Sequence, residues 1–158
     1  MNDNYHFFWN GVFSQWYPSK FKDDTDRLFV TAEQYMMYHK ALTFGDVEIS
    51  EAIMKTDNPS VQKGLGRQVK NFNADVWNAV AKDIVYQGNM YKFSQNSVLL
   101  DVLMSTGTRT LVEASPYDTV WGIGLSEVDA KITPPEEWRG TNWLGEVLTK
   151  LRDDLKSA

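Results

Sequence analysis

The sequence predicts an α+β domain that is mostly helical, with a few short β-strands. Three observations carry this. Stretches with apolar residues at helical spacing, broken by few glycines or prolines, recur from Thr31 onward. Three of them open on a capping residue (Thr31, Asn73, Asn96) and two close on glycine (Gly45, Gly107). Short aromatic or β-branched runs bounded by turn residues are confined to the beginning of the chain and to the region around 111–123. A length of 158 residues suffices for one domain, 1–158, with a real core, and no shift in composition marks a second.

Taken in order, Tyr5–Trp9 is an aromatic run. Asn10-Gly11 and Tyr17-Pro18-Ser19 read as turns, and Asp23, Asp24 and Asp26 form a polar turn before Arg27–Val30. Thr31 then caps a helix over Ala32–Phe44, which Gly45 stops. A second helix covers Val47–Lys55. Asp57-Asn58-Pro59 resets the chain, and a short helix from Ser60 to about Val69 is interrupted by Gly64 and Gly66. Asn73 caps a helix over Asp75–Phe93, with Val76, Trp77, Val80, Ile84, Val85 and Tyr91 as its apolar residues and Gly88 weakening its middle. Asn96 caps the next, through Met104. Leu111–Ala114 and Val120–Ile123 read as short strands, and Pro134-Pro135 as a loop. Asn142–Leu155 forms a closing amphipathic helix with Leu144, Val147, Leu148, Leu151 and Leu155 as its stripe.

Composition excludes several classes of function. The net charge of −5 argues against broad adhesion to nucleic acid or to an anionic membrane. There is no cysteine, so disulfides, thiolate catalysis and cysteine-based zinc sites are excluded. His6 and His39 are too few and too far apart to suggest a metal site. The start, MNDNYHFFWNG, lacks a basic region followed by a long apolar run, and no segment is apolar enough to span a bilayer. The expectation is a soluble, cytoplasmic protein with no membrane partner. Aromatic residues make up 13% of the chain, which suits either a core of large side chains or a pocket for a flat heterocycle.

Several residue patterns bear on chemistry. Glu33 and Lys40 are seven apart on one predicted helix, so they share a face at about 10 Å along the axis, a spacing that suits two groups flanking a small ligand as well as two solvated charges. Gly64-Leu65-Gly66-Arg67 is neither a dinucleotide-binding fingerprint nor a P-loop. Its glycines suit close helix packing, while Arg67 and Lys70 could hold a phosphate. Trp77, Trp121 and Trp143 lie near Asn73, Asp118 and Asn142 in sequence. Periodicity favours core packing for Trp77. Trp121, between Asp118 and two glycines, looks least like core and most like a wall for a base.

The order of motifs is more specific than any one of them. FSQWYPSKF, AEQYMMYHKA, GLGRQVKNF, KFSQN, TGTRTLVEASPYDTVWGIGL and WRGTNWLGEVLTKLR together resemble the YbiA-like family, also called NADAR, from about Phe13 to Arg152. The resemblance implies a YbiA-like fold and N-glycosidase chemistry without a cofactor. The implied substrate is a ribose joined through C1 to an amine outside a heterocycle. It is either a ribosylamino intermediate of riboflavin biosynthesis or an ADP-ribosylated guanine, free or in nucleic acid. It also implies roles: Glu33 for proton transfer, Lys40 as Schiff-base lysine with Lys70 as second choice, and Asp118 and Trp121 on the base or ribose. Trp77 becomes a further aromatic wall, Glu113 and Asn142 contact ribose or orient its neighbours, and Arg67 holds phosphate. An oxocarbenium-like route without a covalent lysine is the other implied mechanism. The chain departs from the family's LSNWYPS and SVEHYM patterns with FSQWYPS and TAEQYM, and Ser14-Gln15 would fall at the pocket rim and bear on substrate preference. A binding module for ADP-ribose or NAD, without turnover, is the competing class. The presence of Glu33, Lys40, Asp118 and Trp121 together favours the enzyme.

Overall fold

The computed structural model describes residues 4–158. Its elements run β1 (Tyr5–Phe8), β2 (Phe21–Lys22), β3 (Leu28–Phe29), α1 (Ala32–Thr43), α2 (Val47–Met54), α3 (Pro59–Gly66), α4 (Ala74–Ser94), α5 (Ser97–Ser105), β4 (Thr110–Glu113), α6 (Glu127–Lys131) and α7 (Trp143–Ser157). The mostly helical α+β reading therefore holds. Two compact units emerge, Gln15–Ser97 and the residues on either side of that span.

The Gln15–Ser97 unit is built on α1, which packs against α2, α3 and α4. Its start is fixed by two residues in exchange. The Thr31 hydroxyl accepts the Gln34 N–H at 2.9 Å, and the Gln34 side chain accepts the Val30 N–H at 2.9 Å. This is a variant of the capping box. The same hydroxyl donates to Gln62 Oε1 at 2.6 Å and Gln34 Nε2 donates to the Ile53 carbonyl at 3.0 Å, tying α3 and α2 to that start. The other helix starts follow the sequence: Asp46, Asn58 and Asn73 each accept a first-turn N–H. Asp23 makes the β2–β3 turn by accepting the Thr25 and Arg27 N–H groups, both at 2.9 Å.

Gly64 does not interrupt α3 and faces open space, whereas the helix ends at Gly66, where a Cβ would lie 2.0 Å from Met37 Sδ on α1 and that side chain would have to move. Gly88 does not weaken α4 by accident either: a Cβ would lie 2.6 Å from the Tyr35 ring. α4 also turns its face differently from the reading above. The buried residues are Trp77, Ala81, Val85, Gly88, Asn89, Lys92 and Phe93, while Val76 is exposed. The apolar list pointed partly to the neighbouring face because two of the true inward positions are polar.

The second unit pairs β1 and β4 in parallel, Tyr5 opposite Thr110 through Phe8 opposite Glu113. α7 packs on β4. Asn142, in the left-handed region at φ 55°, precedes α7. Its side chain accepts the Glu113 N–H at 2.9 Å and donates to the Leu111 carbonyl at 3.0 Å, so it occupies the hydrogen-bonding edge of β4 as a neighbouring strand would. Gly145 allows this, because a Cβ would lie 2.1 Å from the Leu111 carbonyl oxygen. Arg152, buried, donates to the Thr106 hydroxyl at 2.9 Å and to the Arg109 carbonyl, closing the turn before β4.

Val120–Ile123 is not a strand. Asp118 Oδ1 accepts the Val120 and Trp121 N–H groups at 2.9 and 2.8 Å and turns the chain, and Gly124 sits at φ 70°. The carbonyls of 119–123 instead accept N–H groups from Arg139 to Leu144. Gly140 makes that approach possible, for a Cβ there would lie 2.2 Å from the Gly122 carbonyl oxygen. The Pro134-Pro135 loop contains a short 3-10 turn, Pro135–Glu137, and α6 was not anticipated.

The two kinds of glycine predict opposite effects. Gly64→Ala is expected to raise unfolding free energy by about 1 kcal/mol, since it removes backbone entropy from an open helical site. Gly145→Ala is expected to lower it by about 1–3 kcal/mol, through overpacking against the β4 backbone. Chemical denaturation of the two variants measures both.

Candidate active site

The residues singled out above fall into the two units. Glu33, Lys40, Arg67, Lys70 and Trp77 belong to Gln15–Ser97, and Glu113, Asp118, Trp121 and Asn142 to the other.

In the first unit, Glu33 is in the first turn of α1, where the helix dipole favours a carboxylate. It is nonetheless buried, at 4% exposure, which is uncommon for this residue type. Its N–H donates to the Gln15 carbonyl at 2.9 Å. Lys40, in the last turn, is half-buried, with Nζ 4.8 Å from the centre of the Phe72 ring. Burial holds its pKa below the usual lysine range; the Glu33 charge raises it and the Arg67 charge lowers it. Glu33, Lys40 and Arg67 thus share one electrostatic neighbourhood. Arg67 and Lys70 are exposed, and the Lys70 N–H donates to Asp46 at 2.9 Å. Trp77 is buried on the inward stripe of α4, in keeping with core packing.

Three buried residues join this picture without having been singled out for it. Gln15 was placed at a pocket rim, but it is buried, and its Oε1 accepts the Asn89 Nδ2–H at 2.9 Å. Lys92 follows Asn89 by three positions, so the two share a face of α4. Lys92 is fully buried, with Nζ 5.0 Å from the centre of the Phe93 ring and 5.8 Å from that of Tyr17. Burial alone lowers its pKa to about 7. The available signal was positional. Asn89 and Lys92 continue the stripe set by Trp77, Ala81, Val85 and Gly88, and a lysine on an inward stripe needs a reason.

In the second unit, much of the conspicuous motif serves the backbone. Asp118 Oδ1 holds the turn, and both polar atoms of the Asn142 side chain are spent on β4. Glu113 is half-buried, with its carboxylate against Gly122, where a Cβ would meet Oε2 at 3.0 Å. Trp121 is half-buried and meets Trp143 edge-on at 5.5 Å.

His39 is flanked by Tyr35 and Tyr38, and burial lowers its pKa. Among the described residues no group of three or more His, Asp or Glu side chains could hold a metal ion, and no helix is long and apolar enough to cross a membrane. The reading of the start as free of a leader falls partly on residues 1–3, outside the described residues.

A buried carboxylate and two lysines of lowered pKa are groups able to carry protons. An N-glycosidase of Acanthamoeba polyphaga mimivirus is 47% identical over 90% of this chain and 86% of its own length. Protein irg-1 of Caenorhabditis elegans is 42% identical over 91% of the chain and 75% of its own. The chloroplastic riboflavin biosynthesis protein PYRR of Zea mays is 30% identical over 92% of the chain, which spans 23% of that longer protein. The NMR structure of the Escherichia coli protein YbiA superposes with a TM-score of 0.79 at 26% identity, covering 99% of this chain and 88% of YbiA. The class is an enzyme, a hydrolase of the N-glycosidase type. The NADAR domain model matches residues 7–156, and the chain belongs to that family.

The pKa of Lys92 makes stability depend on pH in a defined direction. The unfolded chain keeps this proton up to the ordinary value of 10.5, the folded chain only to about 7. Between those values unfolding takes up a proton, so this group adds stability as pH rises through the window. The difference in unfolding free energy between wild type and Lys92→Met, followed by denaturation from pH 6 to 10, is therefore expected to shift in favour of the wild type as pH rises.

Proposed function

We propose that the protein hydrolyses the bond between ribose C1 and an exocyclic amine of a heterocycle. Two substrates share this chemistry: a ribosylamino pyrimidine of the kind found in riboflavin biosynthesis, and ADP-ribosylated guanine. The observation that carries the reading is Glu33, a carboxylate buried in the first turn of α1 in a chain whose relatives include named N-glycosidases and riboflavin biosynthesis proteins.

An exocyclic amine is a poor leaving group until its nitrogen is protonated, and C1 must lose electron density as the bond breaks. Glu33 supplies the proton to the departing nitrogen and later removes one from the water that reaches C1. The amine's lone pair can also open the sugar, forming a C1=N iminium bond while the C1–O bond breaks and the ring oxygen takes up a proton, a route closed to a nitrogen whose lone pair is locked in an aromatic ring. Lys40 and Arg67 give the same neighbourhood a cationic edge suited to the substrate's phosphate.

Glu33→Gln keeps the shape and removes the titrating group. We expect turnover of both substrates to fall about 10²–10⁴-fold while the circular dichroism spectrum and melting temperature stay near wild type. Undiminished turnover in a folded Glu33→Gln variant would remove Glu33 from the chemistry.

A further inference from the structure

We propose that Phe72, in the turn between α3 and α4, is the residue on which the substrate's heterocycle stacks, and that it selects an electron-rich, amino-substituted ring. The inference rests on the glycosidase reading above and adds to it the group that recognises the leaving amine.

A lone apolar side chain at a surface calls for no explanation. Phe72 differs in how it is held. It is 48% exposed, yet the turn that carries it is fixed on both sides. Before it, the Lys70 N–H donates to Asp46 at 2.9 Å, and Asp46 also accepts the Ile49 N–H at the start of α2. After it, Asn73 accepts the Val76 N–H at 3.1 Å and caps α4. Between these anchors Asn71 takes the left-handed region at φ 62°, which residues other than glycine seldom adopt. The backbone is thus bent immediately before Phe72, and the ring is presented in one place before any ligand arrives. Binding then carries little ordering cost.

The surroundings of the ring define what it can take. Lys40 Nζ lies over it, 4.8 Å from its centre. The Phe44 ring meets it at 5.4 Å with the planes 58° apart. An ammonium on one face draws on the negative charge of the π-system. The opposite face is left poorer in electrons, so it stacks best on a ring that has electrons to give. Amino substituents make a pyrimidine or a purine such a ring, and the leaving group of the proposed reaction is one. A sugar phosphate gains nothing from that face, and is served instead by the cationic heads of Lys40 and Arg67.

Position agrees with chemistry. Lys40, which lies over Phe72, is also acted on by the charges of Glu33 and Arg67. The ring proposed to hold the heterocycle therefore belongs to the neighbourhood of the carboxylate proposed to protonate its amine. All four residues are in the Gln15–Ser97 unit. Trp77, the aromatic residue of that unit singled out from the sequence, is buried on the inward stripe of α4.

The test separates a ring from an apolar cover. Shielding the Lys40 stem asks only for bulk, which leucine supplies, whereas stacking asks for an aromatic face. Wild type, Phe72→Leu and Phe72→Tyr are titrated by calorimetry with diaminopyrimidine and, separately, with ribose 5-phosphate. The same proteins are assayed for turnover of a ribose 5-phosphate linked through C1 to an aminopyrimidine. We expect Phe72→Leu to bind the pyrimidine about 10-fold more weakly, the size of one lost base–aromatic stack, and to bind ribose 5-phosphate as wild type does. KM rises by the same factor with kcat retained, as for an interaction made equally in the ground and transition states. Phe72→Tyr keeps the wild-type values throughout, and Phe72→Met replaces the leucine variant should that one fail to fold. Unchanged pyrimidine binding in Phe72→Leu, equal weakening of both ligands, a loss confined to kcat, or no binding of the pyrimidine by wild type would each overturn the role of Phe72 and leave the glycosidase standing. Absence of turnover in wild type would overturn the glycosidase reading, and the pyrimidine titrations would still decide whether Phe72 is a stacking residue.

Discussion

The burial of one lysine constrains the Gln15–Ser97 unit more than any other single feature. Placing an amine where no water reaches it costs energy unless the group gives up its proton or finds compensation. Here α4 carries Lys92 inward on the same stripe as Trp77, Ala81, Val85 and Gly88. Gly88 lets α4 approach Tyr35 on α1 closely, so the stripe is well sealed. The neighbouring inward position is Asn89, and its partner is Gln15. A polar interior is thus built into the seam between α4, α1 and the turn that follows Ser14, and Glu33 is joined to it by the backbone bond to Gln15. The rest of that unit, with its side-chain exchange at Thr31 and Gln34, serves to hold α1 and its neighbours in place around this seam.

The other unit depends on a different device. Asn142 takes the place of a strand beside β4 and at the same time sets the start of α7. The 119–123 carbonyls then accept N–H groups leading into that helix, and two close approaches at Gly140 and Gly145 leave room for nothing larger than hydrogen. Asp118 and Asn142, which look like ligand contacts when read in sequence, are in large part what gives this stretch its shape. Trp121 and its edge-on neighbour Trp143 are what that shape presents.

Helix starts were legible because capping is local: Thr31 and Asn73 act within three residues of themselves. The spacing of Glu33 and Lys40 was legible for the same reason. Val120–Ile123 was misread as a strand because its partners are N–H groups from 139–144, a contact that no window around residue 120 contains. Lys92 and Asn89 escaped notice because a list of apolar residues omits the polar ones on the same face. Extending the inward stripe by position rather than by residue type would have found both. Gln15 stood out only as a departure from a motif, and its burial against Asn89 depends on residues 74 positions apart.

The burial of the Lys92 amine, around which the Gln15–Ser97 unit is built, is open to direct observation. Carbon NMR of protein labelled at the lysine side chains follows each Cε resonance with pH, and Lys92→Met assigns the one of interest. The account predicts that the Lys92 resonance titrates near pH 7, well below the solvent-exposed lysines. A Lys92 resonance that titrates with the others above pH 10 would contradict it.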